Sequence, residues 1–310
     1  VPKLTRKRTL LCKLESSYGT DPTPTAGSNG ILVRDLTIEP VQSDEVSRDL
    51  IRPYLGVYET LLANTRVNVT ADVEMVGSGT AGDEPAYAPL LKSCGLAVTT
   101  VSSTSNTYAP VSTSFSSCCI YCNIDGVRHK VTGCRGTFSI NCSVNEIPVI
   151  SFSMTGIYNA PTDQAVPAPT FNATKPLLFK NGNTSAFALF GYGGVLQSWS
   201  LDMNNDTVYR ELVGGTKEVM ITNRAPSGSA SVEAVALSAH NFFTDATGSS
   251  TGTNTFLHGT TAGNKVTLSC PQTDLGQPTY EDSDGVQMLN LPFVATPTTA
   301  GNNELSIAYT

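Results

Sequence analysis

Apolar and polar residues alternate with a period of two along most of the chain, the pattern of strands half-buried in a sheet. Val67-Asn68-Val69-Thr70-Ala71-Asp72-Val73-Glu74-Met75-Val76 sets Val69, Ala71, Val73 and Met75 on one face and Thr70, Asp72 and Glu74 on the other. Residues 117–124 put Cys118, Ile120, Cys122 and Ile124 on a common face, Asp125-Gly126 is a hairpin turn, and residues 127–132 return. Phe138, Ile140, Cys142 and Val144 share a face in the next run. Further strands are read at residues 9–14, 31–41, 147–157 and 304–310, and residues 18–29 have the turn density of a loop.

One stretch breaks the period. Gly77-Ser78-Gly79-Thr80-Ala81-Gly82 has the G-x-G-x-x-G spacing of a dinucleotide turn, where glycines let the backbone approach a pyrophosphate. Asp83 and Glu84 stand where the phosphates would lie and would repel them, and no βαβ alternation follows. The same residues read better as a helix start, with Asp83 as cap, Glu84 at the positive end of the dipole, Pro85 in the first turn and Gly95 at the close. Ala86, Leu90, Leu91 and Cys94 would then form one apolar face against the sheet.

The pattern then occurs a second time. Asp44-Glu45-Val46-Ser47-Arg48-Asp49-Leu50, a Pro/Gly turn through Arg52-Pro53-Tyr54-Leu55-Gly56 and the strand ending at Val76 are answered by Asp206-Thr207-Val208-Tyr209-Arg210-Glu211-Leu212, Gly214-Gly215 and Ser229-Ala230-Ser231-Val232-Glu233-Ala234-Val235. On either side, Leu10-Leu11-Cys12-Lys13 matches Leu177-Leu178-Phe179-Lys180, and Leu36-Thr37-Ile38-Glu39 matches Trp199-Ser200-Leu201-Asp202. Lys130-Val131-Thr132 matches Lys265-Val266-Thr267, and Ile150-Ser151-Phe152 matches Leu289-Asn290-Leu291. This is the pattern of one β-rich domain duplicated in tandem, each copy owning a core. Residues 159–170 hold three prolines and little to bury, so the expected domains are 1–165, including this linker, and 166–310.

In each copy a charged excursion follows an early strand, between residues 41 and 67 and at residues 204–225. Both are too long for a tight turn and both keep an Asp, an Arg and an acid, so each reads as a contact loop. Residues 238–245, ahead of a Gly/Ser/Thr loop, are a weak second-copy counterpart of the helix. Residues 1–8 carry Lys3, Arg6, Lys7 and Arg8, as a solvated tail or as a basic arm reaching an acidic neighbouring subunit.

Composition narrows the function. The 310 residues suit two domains, and with 40% hydrophobic but only 15% charged residues the surface is neutral and rich in Thr, Ser, Asn and Gly. That suits sheets with polar outer faces in a chain that hides surface in an assembly. A formal charge of −7 argues against a nucleic-acid binder held by phosphate contacts. No apolar run reaches the length that crosses a bilayer and no charged-then-apolar leader is read, so no membrane insertion is expected.

Of the eight cysteines only Cys270 falls in the second copy, so they are no framework common to both, and free thiols in a reducing compartment are expected. Cys119, Cys122, Cys134 and His129 raise a zinc site. Their spacing matches no common zinc module, and Cys119 and Cys122 point to opposite faces of one strand, so buried structural thiols are expected instead. His129, His240 and His258 stand in no triad or metal spacing, and nucleophile-elbow and P-loop patterns are lacking. Neither an enzyme nor a cofactor is expected.

Across Asp44 to Gly56 with its following strand, Gly77 to Gly95, Asp125-Gly126-Val127-Arg128-His129-Lys130-Val131-Thr132-Gly133-Cys134-Arg135-Gly136-Thr137 and Ile147-Pro148-Val149-Ile150-Ser151-Phe152-Ser153-Met154-Thr155-Gly156, the sequence resembles the major tail tube proteins of long-tailed bacteriophages. The likeness is strongest to Mu-related phages with flexible, non-contractile tails, and it ties in the second copy through the internal repeat. It implies a mainly β fold of two tandem tail-tube-like β-sandwich or barrel domains, each with at most one short flanking helix. It also implies domains that join edge to edge in rings, rings that stack, and a long loop that touches the next ring.

Two copies per chain then predict a homotrimeric ring with pseudo-six-fold symmetry in a virion tail, assembled in the bacterial host cytoplasm. Other tail proteins would close its ends, and genomic DNA would pass through without specific binding. The inter-ring contact loop would hold Asp44, Glu45, Arg48, Asp49 and Arg52, with Asp206, Arg210 and Glu211 in the second copy. The acidic strand face, Asp72 and Glu74 with Ser231 and Glu233, is the candidate lumen wall, because neutral or acidic walls do not hold phosphate. A solvated outer face is the plainer reading of that strand. A secreted or surface β-sandwich adhesin or coat protein is the rival function, compatible with Asn-x-Ser/Thr matches at Asn68, Asn141, Asn172, Asn183 and Asn205.

Overall fold

The structure, a computed structural model, describes residues 2–248 and 250–310; Val1 of the basic arm and Ser249 of the Gly/Ser/Thr loop lie outside the described residues. The period-two segments fold as antiparallel strands and the chain is mainly β. The first half contains β1 (Arg8–Leu14), β2 (Gly30–Ile31), β3 (Asp35–Val46), β4 (Leu61–Glu74), α1 (Ala88–Ser93), β5 (Leu96–Val101), β6 (Ser105–Pro110), β7 (Cys118–Ile124), β8 (Val127–Ser143), β9 (Val149–Tyr158) and β10 (Thr162–Asp163). The second contains β11 (Thr184–Leu189), β12 (Leu196–Asp202), β13 (Asn205–Arg210), β14 (Glu218–Arg224), β15 (Ser227–Glu233), α2 (Phe242–Thr247), β16 (Thr251–His258), β17 (Val266–Leu275), β18 (Thr279–Ser283), β19 (Val286–Ala295) and β20 (Ser306–Tyr309).

The two halves pair their strands in the same order. In the first the neighbours run β3, β4, β9, β8, β7, β1. In the second they run β12, β15, β19, β17, β16, β11. Register agrees with the sequence repeat, because Val73 faces Ile150 and Ala71 faces Phe152 where Val232 faces Leu289 and Ala230 faces Leu291. The halves differ at the first hairpin. β3 and β4 form one long ladder, whereas the second copy breaks into β12 with β15 and β13 with β14. Asn204 turns the chain there at φ +48, and Pro226, in the link between β14 and β15, has no N–H to continue the ladder.

The halves also pair with one another. β12 lies along the end of β8, with Ser198 to Asp202 opposite Ser143 to Ser139, and β20 lies between β6 and β17. One continuous cluster of buried side chains therefore runs from Leu10, Phe138 and Phe152 to Trp199, Phe256 and Phe293, correcting the expectation of a separate core in each copy.

Several element boundaries are corrected. The strand expected at residues 31–41 is split into β2 and β3, and β3 runs on to Val46, so Asp44 and Glu45 lie in a strand. The helix starts at Ala88 beside Tyr87, with Pro89 in its first turn, and not at Asp83. Asp83 instead closes a turn with its N–H on the Thr80 carbonyl at 3.2 Å, and Ala86 is exposed. Glu84 binds Lys92 at 2.7 Å and the Tyr108 hydroxyl at 3.1 Å, which holds it away from the helix end. Leu177 to Lys180 is irregular, and β11, a few residues on, takes the place of β1. Val144 falls past the end of β8 and is 40% exposed. The Pro-rich stretch is tied to the first half by β10 against Arg128 and Val127 and by Thr170 N–H on the Ala26 carbonyl at 3.0 Å. Among the described residues no helix is long and apolar enough to cross a membrane.

Candidate functional site

The alternation of β4 places its side chains as its sequence requires. Val67, Val69, Ala71 and Val73 are buried, while Thr70 is exposed and Asp72 and Glu74 are partly so. The paired strands extend that polar face into both halves. Asp35, Asp72, Ser151, Ser139, Asp202 and Ser227 lie opposite one another in turn, one residue per strand, from β3 to β15. This row carries three carboxylates and no cation, and none of its residues is buried. Glu233 is exposed three rows further along the same face of β15, but Ser231 is 5% exposed and donates to Gln197 at 3.2 Å, so it is not on the open surface. Asp35 and Asp202 escaped the sequence reading because their membership of the row depends on pairing across strands, although Asp202 stands in the repeat already matched to residue 39.

The proposed contact residues divide between two hairpins. Asp44 and Glu45 end β3, while Arg48, Asp49 and Arg52 lie in the loop from 47 to 60. The Asp44 carboxylate accepts from the Asn64 amide at 2.7 Å and pairs with Arg66 at 3.5 Å, which holds it below the usual carboxylate range. Arg48 pairs with Glu59, and the Arg52 guanidinium lies 4.7 Å from the Tyr54 ring centre and 4.2 Å from that of Tyr58. This internal bracing shapes a loop whose Ile51, Leu55 and Val57 are 103%, 101% and 94% exposed. An ordered loop that holds three aliphatic side chains in water has the character of a contact element.

The second hairpin is docked at its base. Asp206 and Arg210 lie on β13 and Glu211 just beyond it, with Glu211 3.0 Å from Lys217. Asn205 donates to the carbonyls of Cys94 and Gly136 at 2.7 and 3.0 Å. Buried Arg135 donates to Glu218 at 2.9 Å and to the carbonyls of Val219, Phe115 and Ser116 at 2.7, 3.0 and 3.3 Å. The Tyr18 hydroxyl accepts from Val219 N–H at 2.6 Å, and burial pushes its pKa up to about 12. Among the described residues the outer part of the first hairpin has no comparable seat within its own chain.

The glycines of residues 77–82 hold the halves together. Gly79 N–H donates to the Gly263 carbonyl and Gly77 N–H to Asn264, each at 2.9 Å. A Cβ on Gly77 would collide with Gly263, which accounts for the spacing without a ligand. Nearby, Tyr87 and Tyr309 share a hydrogen bond of 2.9 Å that joins the α1 segment to the last strand.

Other candidate chemistry disperses. All eight cysteines are free and buried, and burial pushes the Cys12, Cys94 and Cys134 thiols up. Cys118 to Cys122 lie on a strand covered on both faces, Cys119 packing with Leu11 and Tyr121. His240 pairs with Asp245 at 2.7 Å, and burial lowers the pKa of His129 and of His258. Among the described residues no cluster of His, Cys, Asp and Glu has metal-holding geometry. The basic arm is fastened to its own chain, with Lys7 3.8 Å from Asp125 and Arg8 3.7 Å from Asp35.

Comparison with curated proteins found no match. A family model described as phage tail tube protein matches residues 5–295, nearly the whole chain and both halves of the repeat. With its polar sheet spanning two like halves and its braced, apolar-tipped loop, the chain belongs to the phage tail tube protein family.

Proposed function

We propose that three chains close into a ring with pseudo-six-fold symmetry, that such rings stack into the hollow tube of a virion tail, and that DNA leaves through the lumen. The observation that carries the reading is the repeated strand order, since two like units in one chain let three chains supply six. Residues 1–165 and 166–310 act as the two units. The subunit is structural and without a catalytic step of its own, and it assembles in the host cytoplasm.

The loop bearing Arg48, Asp49 and Arg52, with Asp44 and Glu45 at its root, reaches an adjacent ring and covers its bare aliphatic side chains there. Asp206, Arg210 and Glu211 serve the same contact from the second half. The face bearing Asp72, Glu74 and Glu233, together with Asp35 and Asp202, lines the lumen, where carboxylates and hydroxyls repel or ignore phosphate. Other tail proteins meet the tube ends. Negative-stain microscopy of the purified full chain tests the reading. Three-chain rings or hollow tubes are expected, and a population of monomers at concentrations well above those of virion assembly would overturn it.

A further inference from the structure

The junction already formed inside the chain specifies the one between chains. The end of β8 is paired on both sides, with β9 through Ile140 opposite Ile150 and with β12 through Ile140 opposite Leu201. In the second half β18 occupies that position, because Tyr280 faces Leu289, the counterpart of Ile150. Among the described residues β18 pairs only with β19. β3 occupies the position of β12, because Leu36 faces Ala71 as Trp199 faces Ala230, and its outer edge is likewise without a partner strand. β18 and β3 therefore present two unlike edges of the shared sheet, one the analogue of β8 and the other of β12.

We propose that β18 of one copy pairs antiparallel with β3 of the next, in the register with which β8 pairs with β12. The proposal rests on the ring reading above. Transferring the internal register sets Thr279 opposite Glu39, Tyr280 opposite Ile38, Glu281 opposite Thr37, Asp282 opposite Leu36 and Ser283 opposite Asp35.

Charge supports that register independently of the repeat. On the polar face every carboxylate meets a hydroxyl: Glu39 meets Thr279, Glu281 meets Thr37, and Asp35 meets Ser283. A slip of two residues either way brings Glu281 against Asp35 or Glu39; directly opposed like charges are destabilising, and where the chain itself opposes Asp35 to Asp72 the Arg8 guanidinium stands 3.7 Å from Asp35. A slip of one turns each side chain to the wrong face. On the inner face Tyr280, 59% exposed and 5.8 Å from the Phe243 ring, would cover the partly exposed Ile38. Asp282 accepts from Gly285 N–H at 3.3 Å, which keeps its charge at the turn beside Leu36.

Arg8 marks the edge and guards it. Its guanidinium donates to the Leu36 carbonyl, so that carbonyl points out of the sheet. Leu36 then belongs to the pairs that exchange main-chain hydrogen bonds across the junction, and Thr37 to the closer, non-hydrogen-bonded pairs. Joining replaces the Arg8 contact with the neighbour's main chain. Until then a cation covers the edge, a device that limits uncontrolled strand pairing.

The test is a disulfide across the junction in the full chain. Thr37→Cys with Glu281→Cys places two thiols opposite each other at a separation of about 4.5 Å between Cα atoms, inside the range a disulfide spans. The native thiols are buried and give little background. Mild oxidation of assembled protein is expected to yield covalent three-chain species, at least about tenfold more than Thr37→Cys with Thr279→Cys, whose diagonal separation is too long. Rings or tubes on the grid without that cross-link, or with preferential cross-linking of the slipped pair, overturn the junction and leave the ring reading standing. Wild-type protein that forms no rings removes both.

Discussion

At the scale of single residues, the joint between the halves depends on Arg135 more than on any carboxylate. Its ion pair with the half-exposed Glu218 contributes little on its own. The larger effect lies in the carbonyls of Phe115, Ser116 and Val219, which are left without this donor once the guanidinium is gone. Arg135→Met is expected to lower the free energy of unfolding by about 2–4 kcal/mol. Urea denaturation reads this as a lower midpoint at unchanged slope. Arg135→Lys should recover only part of the loss, because an ammonium cannot fork to several carbonyls. The sequence held no sign of this role, since Arg135 gains its meaning from a hairpin some eighty positions further along. Asp72 and Glu74 were legible for the opposite reason. Strand parity is local, and it assigns a side chain to a face before any partner is known.

At the scale of elements, what was readable and what was not follows the same division. The Asp125-Gly126 turn and the strands around it were legible, because a turn and two alternating runs are local. The length of β3 was not, since residues 42–46 are mostly polar, with Asp44, Glu45 and Val46 exposed, and become a strand only through pairing with Leu61 to Arg66. Asp83 failed as a cap because Glu84 is drawn to Lys92 and Tyr108, contacts that no capping rule includes. The use of the glycine run as a seat for the second half was not legible either, because Gly263 and Asn264 lie far along the chain. Gly263 makes that use testable. Its φ of +82 is a conformation that side chains rarely adopt, and a Cβ there would run into Gly79. Gly263→Ala is expected to destabilise the chain by roughly 2–4 kcal/mol, seen as a lowered thermal midpoint. Gly285→Ala, with a similar φ of +83 but open space around it, should cost less, which separates collision from backbone strain.

At the scale of the whole molecule, duplication makes one polar face out of two. The polar face that holds this row crosses from the first half to the second without a break in pairing, so a curved assembly of such chains would carry that face around a closed circumference. In the proposed tube that circumference faces DNA, and the sign of its charge decides how fast DNA moves. Carboxylates offer phosphate no site, whereas each lysine placed there creates a contact whose strength depends on counterion release. Asp72→Lys, Glu74→Lys and Glu233→Lys, combined in one chain, are expected to leave tails assembling and to slow DNA ejection. Because the added contacts are electrostatic, raising the salt concentration should restore the rate, while the unmodified tail responds much less. Assembled tails that eject at the normal rate in low salt would place the acidic face outside the lumen. Tails that fail to assemble would place it at a subunit contact instead, so the salt series and the micrograph together decide which way the face points.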